Sequence, residues 1–412
     1  MNVEIEFPNY DSQRRAFITW RPVEVKLRLI AAPVPPAAIH VTVSAKTTSS
    51  GAKLSFATMM THLGSPSIDL ALPQDGSDVS VWVGGEFPAA SQKYGDVEVI
   101  VKEKSTSQLL GSHPTMVRIR KNANNLSNSE RDRFLAALAT LNGAGTGRFS
   151  DFRDMHVGGA PDREAHGGPG FLPWHRSYLL DLERELQMID AEVALPYWRF
   201  DQAAPNVFNR SFMGVSNTLN QVQFAAGHPL LGWVGSGPPG IDRGPGVGAS
   251  TIPSVFTEAQ TLQLGGAPVS GFRNFRSMQG NPHGGAHMSH GSGWITSIST
   301  APRDPIFFLL HCNVDRLWAK WQWAQKRHDP NDPNSFTPAG FSPGHNLSDA
   351  MWPWCGPLTA PRPTTAPGGA LAPSPMTAAP GVSPKVSDMI DYLGTVTATH
   401  LAFAYDDVPF QI

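Results

Sequence analysis

Two histidine-bearing stretches constrain this chain more than any other feature of its 412 residues. The first, HGGPGFLPWHRSYLLDLE, runs from His166 to Glu183 and places His166 and His175 on either side of a Gly/Pro turn, ahead of a helix carrying Glu183. The second, DPIFFLLHCNVD, runs from Asp304 to Asp315 and puts Asp315 one helical turn after His311, on the same face. Histidines accompanied by carboxylates in this way read as metal ligands with partners behind them. With Cys312 the only thiol close by, the donors suit a borderline first-row ion that binds nitrogen.

The rest of the composition narrows the class. Charged residues make up 16% of the chain, below the roughly 25% of ordinary soluble proteins, while 39 Gly and 37 Pro signal many turns and long connections. The length allows two or three domains. A formal net charge of -2 gives no footprint for nucleic acid or an anionic membrane. The most apolar early stretch, Leu27 to Ile39, is broken by Pro33, Pro35 and Pro36, so no membrane span is expected. The first residues show no basic region leading into an apolar one, so the default expectation is a cytoplasmic protein, with export alongside a partner compatible with it. An oligomer is compatible with this composition and not required by it. Cys312 and Cys355 exclude a disulfide framework and leave room for one bridge.

Residues 1–115 alternate short β-branched runs with turn clusters, at Val23 to Ile30, His40 to Ser44, Val79 to Val83 and Val97 to Val101, which predicts an N-terminal β-sandwich. Its histidines, His40, His62 and His113, are scattered and lack ligand spacing. Residues 116–412 are expected to form a second, mainly α domain. Ser127 and Glu130 predict a capping box, followed by Phe134, Leu135, Leu138 and Leu141 on one helical face. Further helices are expected from His175 to Ile189 and from about Phe307 to Ala324, with irregular chain over 200–280 and a proline-rich wrapping segment over 357–384.

The two histidine stretches together resemble the copper-A and copper-B signatures of the type-3 copper proteins, the tyrosinase and catechol oxidase family. Phe171-Leu172-Pro173-Trp174-His175-Arg176 with Leu179 and Glu183 match the first, and Asp304-Pro305, Phe307, His311 and Asp315 match the second. The resemblance covers about 116–330 strongly and 385–407 weakly, where the end looks like the family's closing strand. It implies an α+β multidomain protein whose catalytic domain is a four-helix bundle around a dicopper centre. It further implies two copper ions, O2 as co-substrate and a small phenolic substrate.

By the same resemblance His156, His166 and His175 hold one copper and His283, His287 and His311 the other. Three imidazoles per ion leave positions open for chemistry. His283 and His287, at i and i+4, point to one side of a helix. Glu183 and Asp315 are expected behind the ligands. Gly284, Met288 and Phe307 are candidate substrate contacts, and Gln279 and His290 candidate proton handlers. Cys312 is expected to be buried as a small hydrophobe. Glu164 stands where fungal and plant relatives carry a thioether-forming cysteine, so that link is absent, and Leu310 replaces an additional histidine common among relatives. The primary functional expectation is oxidation of o-diphenols or o-aminophenols to o-quinones. Monophenol hydroxylation, as in a tyrosinase, is the alternative, and haemocyanin-like oxygen binding without turnover a third.

Overall fold

The computed structural model describes residues 2–30, 38–48, 51–62, 64–156, 160–246, 250–265, 271–340, 342–355, 369–397 and 399–412. Part of the proline-rich segment, 357–368, and the Pro33 to Pro36 break therefore lie outside the described residues. Backbone contacts divide the chain into two compact units, 1–119 with 374–378 and 401–412, and 120–373 with 379–400.

Among the described residues the first unit holds nine strands: β1 (Asn2–Glu6), β2 (Ala16–Ile18), β3 (Val23–Ile30), β4 (Ala38–Thr47), β5 (Leu54–Ala57), β6 (Ser67–Pro73), β7 (Val79–Gly85), β8 (Val97–Glu103) and β9 (Leu109–Val117). They form a four-stranded sheet in the order β1-β3-β7-β5 and a five-stranded one in the order β2-β9-β8-β4-β6. Only β2 and β9 pair in parallel. The period-2 patterns explain which side faces inward. Val25, Leu27 and Leu29 of β3 are buried while Glu24 and Lys26 are not, and Val97, Val99 and Val101 of β8 are fully buried. Each such side chain contributes roughly 1.5–3 kcal/mol. β1 approaches β9 so closely that a Cβ on Gly111 would lie 2.4 Å from the Val3 carbonyl oxygen. The end of the chain belongs here: Trp20 Nε1 donates to the Tyr405 carbonyl at 2.8 Å. The closing strand expected for the second domain is therefore not formed, and residues 401–412 run as irregular chain in the first unit.

The second unit is mainly helical: α1 (Asn128–Asn142), α2 (Phe149–Met155), α3 (Ala160–Ala165), α4 (Phe171–Ile189), α5 (Glu258–Gln263), α6 (Gly271–Phe275), α7 (Gly285–Met288) and α8 (Ile306–Gln325). The capping box at Ser127 and Glu130 starts α1, and Phe134, Leu135, Leu138 and Leu141 are its buried face. α4 begins four residues before the expected His175, because Pro173 lies in the first turn, where backbone N–H groups have no intrahelical acceptor. Asp304 accepts from the Ile306 N–H at 3.1 Å at the start of α8 and from Arg243 at 2.6 and 2.7 Å. α4 packs against both α1 and α8.

What locks α4 to α8 is charge. Arg120 is fully buried and spans Glu183 of α4 at 2.8 Å and Asp315 of α8 at 3.2 Å. Arg176 of α4 donates to Asp315 at 2.6 Å, to Gln322 Oε1 at 3.1 Å and to the Met389 carbonyl at 2.6 Å, with its guanidinium 3.7 Å from the Trp318 ring centroid. Buried arginines need such partners, since an unpaired buried charge is strongly destabilising.

Candidate metal centre

Six histidines converge from separate segments. His156 follows α2, His166 follows α3, His175 is on α4, His283 lies in the turn leading into α7, His287 is on α7, and His311 is inside α8. They form two groups, His156, His166 and His175, and His283, His287 and His311, each with its three ligating atoms within 4.8 Å of one another. The HGGPG turn is fitted to this. Gly167 has φ +72°, and a Cβ on Gly170 would meet the Gly344 carbonyl oxygen at 2.3 Å and His345 Nδ1 at 2.6 Å.

The ring nitrogens are assigned by their partners. His156, His175, His283 and His287 each direct Nδ1 at a backbone carbonyl, of Ile298 (3.0 Å), Phe171 (2.8 Å), Gln279 (2.7 Å) and Ile295 (2.7 Å). A carbonyl only accepts, so Nδ1 carries the proton and Nε2 keeps its lone pair. Those lone pairs then face one another. His156 and His175 Nε2 are 3.3 Å apart, and His311 Nε2 is 3.3 Å from His283 Nε2 and 3.2 Å from His287 Nε2. Acceptors brought this close repel unless a cation lies among them. Burial pushes His156, His175, His283 and His311 well below the ordinary imidazole pKa, and His287 down to about 4, so the rings stay neutral and ready to ligate. The donor set thus fits copper, which binds imidazole nitrogen strongly.

A cavity of about 260 Å³ opens on the two groups, lined by His156, His166, His283 and His287 together with Gln279, Gly284, Met288 and the segment Ile295 to Ile298. Gly284 and Met288, expected as substrate contacts, and Gln279, expected as a proton handler, thus line this cavity. Phe307 does not: fully buried, its ring packs behind the ligands, 4.9 Å from His156 and 4.2 Å from His311 by centroids. His290 is also displaced from its expected role. It is buried between Trp198 (5.7 Å) and Phe208 (5.9 Å) and does not line the cavity.

Behind the ligands, Glu183 takes Arg120 and the Leu195 N–H (2.9 Å) and Asp315 takes Arg120 and Arg176, so arginines and surrounding backbone are what these carboxylates hold, while His311 Nδ1 has no hydrogen-bond partner among the described residues. The i, i+4 spacing only puts Asp315 one turn along from His311, and the arginines outcompete a neutral ring for a carboxylate. Carbonyls of the Ile295 to Ile298 segment do the orienting instead. That segment was missed because its side chains are unremarkable for ligation and its backbone does the work. Cys312 is buried, with Sγ 3.7 Å from the Leu195 carbonyl, and does not bridge to Cys355. Glu164, at the position of the thioether cysteine, accepts from the Trp352 N–H at 3.1 Å.

Comparison with known proteins gives the same class. The common central domain of tyrosinase matches residues 146–324. The tyrosinase of Streptomyces antibioticus is 34% identical over 263 residues, covering 57% of this chain and 92% of that protein. Grixazone synthase of Streptomyces griseus is 30% identical over 298 residues, covering 58% of this chain and 94% of that protein. Among solved structures, a polyphenol oxidase variant from Thermothelomyces thermophila aligns over 70% of this chain and 88% of its own, with 19% identity and a TM-score of 0.46. The chain belongs to the tyrosinase family. It is a copper oxidoreductase with the dinuclear type-3 centre of that family as its cofactor. No helix among the described residues is long and apolar enough to cross a membrane.

Proposed function

We propose that the protein oxidises o-diphenols or o-aminophenols to o-quinones with O2, with His156, His166 and His175 holding one copper and His283, His287 and His311 the other. The observation that carries the ligand assignment is the convergence of the Nε2 atoms of His156 and His175, and of His283, His287 and His311, at 3.2–3.3 Å. When bound, the two coppers supply the electrons that reduce dioxygen, in pairs matched to the two-electron oxidation of a catechol. The chain's own contribution is to hold six imidazole rings in register and to offer a small cavity for a flat aromatic ring.

Diphenol specificity rests on what that cavity lacks. Among the described residues its lining contains no carboxylate: Gln279 and Gly284 stand where monophenol-hydroxylating relatives are expected to carry Glu and Asn, and a neutral amide is no general base. A catechol needs less help with its proton than a monophenol. The second reading, monophenol hydroxylation, is favoured by the name of the relatives at 34% identity, which are tyrosinases. We further read the two sheets of the first unit as a β-sandwich and the histidine-bearing helices as the four-helix bundle of the second; the alternating burial along β3 and β8 and the packing of α4 on α1 and α8 support this.

Copper-loaded protein assayed side by side on a monophenol, a catechol and an o-aminophenol tests the reading. Turnover of the second and third with little of the first is the expected result. Oxygen binding without turnover of any of them defeats it.

A further inference from the structure

His166 sits in the turn that joins α3 to α4, and a single ring from a distant segment bonds to both sides of that turn. His345 Nδ1 accepts from the Gly170 N–H at 2.9 Å, just before α4, and His345 Nε2 meets the Arg163 carbonyl of α3 at 2.8 Å. An N–H only donates and a carbonyl only accepts, so the ring is the neutral tautomer with its proton on Nε2. Burial favours that state by lowering the pKa of His345 below the ordinary imidazole value. Protonation would remove the lone pair that Gly170 uses.

The turn is shaped to the ring. A Cβ on Gly168 would lie 2.5 Å from His345 Cε1, and one on Gly170 2.6 Å from His345 Nδ1, so a side chain at either position would displace the imidazole. The segment that carries His345 is itself tied to both helices. Glu164, the residue after Arg163, accepts from the Trp352 N–H at 3.1 Å, and a Cβ on Gly344 would meet its Oε2 at 2.6 Å. The Trp352 carbonyl accepts from Trp174 Nε1 of α4 at 2.7 Å. The His345 backbone N–H donates to Asp349 at 3.2 Å, so ring and backbone are both held.

We infer that His345 is a positioning residue for the first copper site: by bonding to both Arg163 and Gly170 it fixes the turn that presents His166 to the ion shared with His156 and His175. This rests on the ligand assignment proposed above. The second group takes its orientation elsewhere, His283 from the Gln279 carbonyl and His287 from that of Ile295. Residues that orient a ligand indirectly contribute about 10–100-fold in metal affinity. Removing His345 should therefore weaken one copper of the two.

Three variants separate the bonds from the ring. His345→Phe keeps a flat ring against Gly168 and Gly170 and makes neither bond. His345→Asn has an acceptor and a donor but is too short to reach both partners, and His345→Gln has the same pair on a longer stem. Copper-loaded proteins are titrated with a chelator, and copper content and the Cu(II) paramagnetic resonance are read at each step. The Phe and Asn variants should release one copper at about 10–100-fold lower chelator concentration than wild type and leave an isolated Cu(II), and Gln should recover much of the difference. If Phe does not fold, Asn against Gln decides. Wild-type retention in the Phe or Asn variant, release of both coppers together, or equal loss in all three overturns the inference while leaving the ligand reading intact. If wild type itself does not hold two coppers, the ligand reading fails, and copper-free protein decides whether the ring fixes the turn. There, amide hydrogen exchange over 164–171 should be faster in the Asn variant than in wild type, with that of α8 unchanged, and equal exchange overturns the inference.

Discussion

The imidazole rings of His175 and His311 lie stacked, with centroids 4.2 Å apart and planes 10° from parallel. One ring comes from each histidine group, so this contact sets how close the two metal positions can be. It is maintained from behind: Arg176, the next residue on α4, pairs at 2.6 Å with Asp315, one turn along α8 from His311. Phe171 fills the remaining side, 4.7 Å from His175 and 4.9 Å from His283.

Removing Asp315 should therefore cost both stability and metal. Asp315→Ala leaves Arg176 and Arg120 buried with part of their charge unmatched, a loss of about 3–5 kcal/mol. Denaturant unfolding of the copper-free variant should show it. Copper affinity should fall about 10–100-fold, as for other residues that orient ligands indirectly. Wild-type stability with wild-type copper binding would mean that the network does not set the helix spacing.

Metal stoichiometry separates ligands from neighbours. His175→Ala and His311→Ala should each bind fewer than two coppers per chain and abolish oxidation. His290→Ala should keep both coppers, since its ring sits between Trp198 and Phe208, though its melting temperature should fall because a buried ring is lost. Loss of copper in the His290 variant alone would mean that the second histidine group is misassigned.

His166, His175 and His311 were legible in sequence because they sit in two local motifs whose order along the chain survives folding, whereas His156, His283 and His287 lie outside both stretches and came only from the family resemblance. β3 was legible from Val23 to Ile30 and α1 from its capping box, since alternation and capping are local signals. The arginine partners of Glu183 and Asp315 were illegible for the converse reason. Arg120 is 63 residues from Glu183 and 195 from Asp315, and no periodicity announces a pairing at that range. The carbonyls of Ile295 and Ile298 were illegible because backbone atoms carry no sequence signature at all. His290 lies three residues from His287, and the spacing alone could not show that Trp198 and Phe208 enclose it.

Acid should destabilise the copper-free protein. An exposed imidazole in the unfolded chain titrates near 6.5, whereas burial lowers His287 to about 4 and takes His156, His175, His283 and His311 well below their ordinary value. The unfolded state therefore binds more protons across that interval, so stability is fully present above about pH 6.5 and is lost as pH falls toward and through about 4, by up to about 1.4 kcal/mol per pH unit for each group. Urea midpoints measured from pH 7.5 to 5 should fall steeply. A flat profile would show that these rings are not held neutral. Copper should be released at lower pH than the copper-free protein begins to weaken, because the bound ion competes with protons for Nε2.

The preference for diphenols should be adjustable at two residues. Phenol has a pKa near 10, like Tyr, so its deprotonation at pH 7 costs about 4 kcal/mol unless a base takes the proton. Gly284 and Gln279 line the copper cavity and neither can do so. Space for a base exists: a Cβ on Gly284, whose φ is -59°, would have only the Gln279 carbonyl oxygen as a close neighbour, at 3.4 Å. Gln279→Glu keeps that same backbone carbonyl as the acceptor for His283 Nδ1, so the ligand orientation at 2.7 Å should survive. Glu supplies the carboxylate and Asn a side chain that can orient a water between it and the phenol. The double variant Gly284→Asn, Gln279→Glu should raise kcat/KM for a monophenol by about 10²-fold, the lower range for a positioned base, while catechol turnover changes little. Stopped-flow oxygen consumption on a matched monophenol and catechol reads both rates in one preparation. Efficient monophenol turnover without a lag in the unmodified protein would sink this prediction and favour the tyrosinase reading.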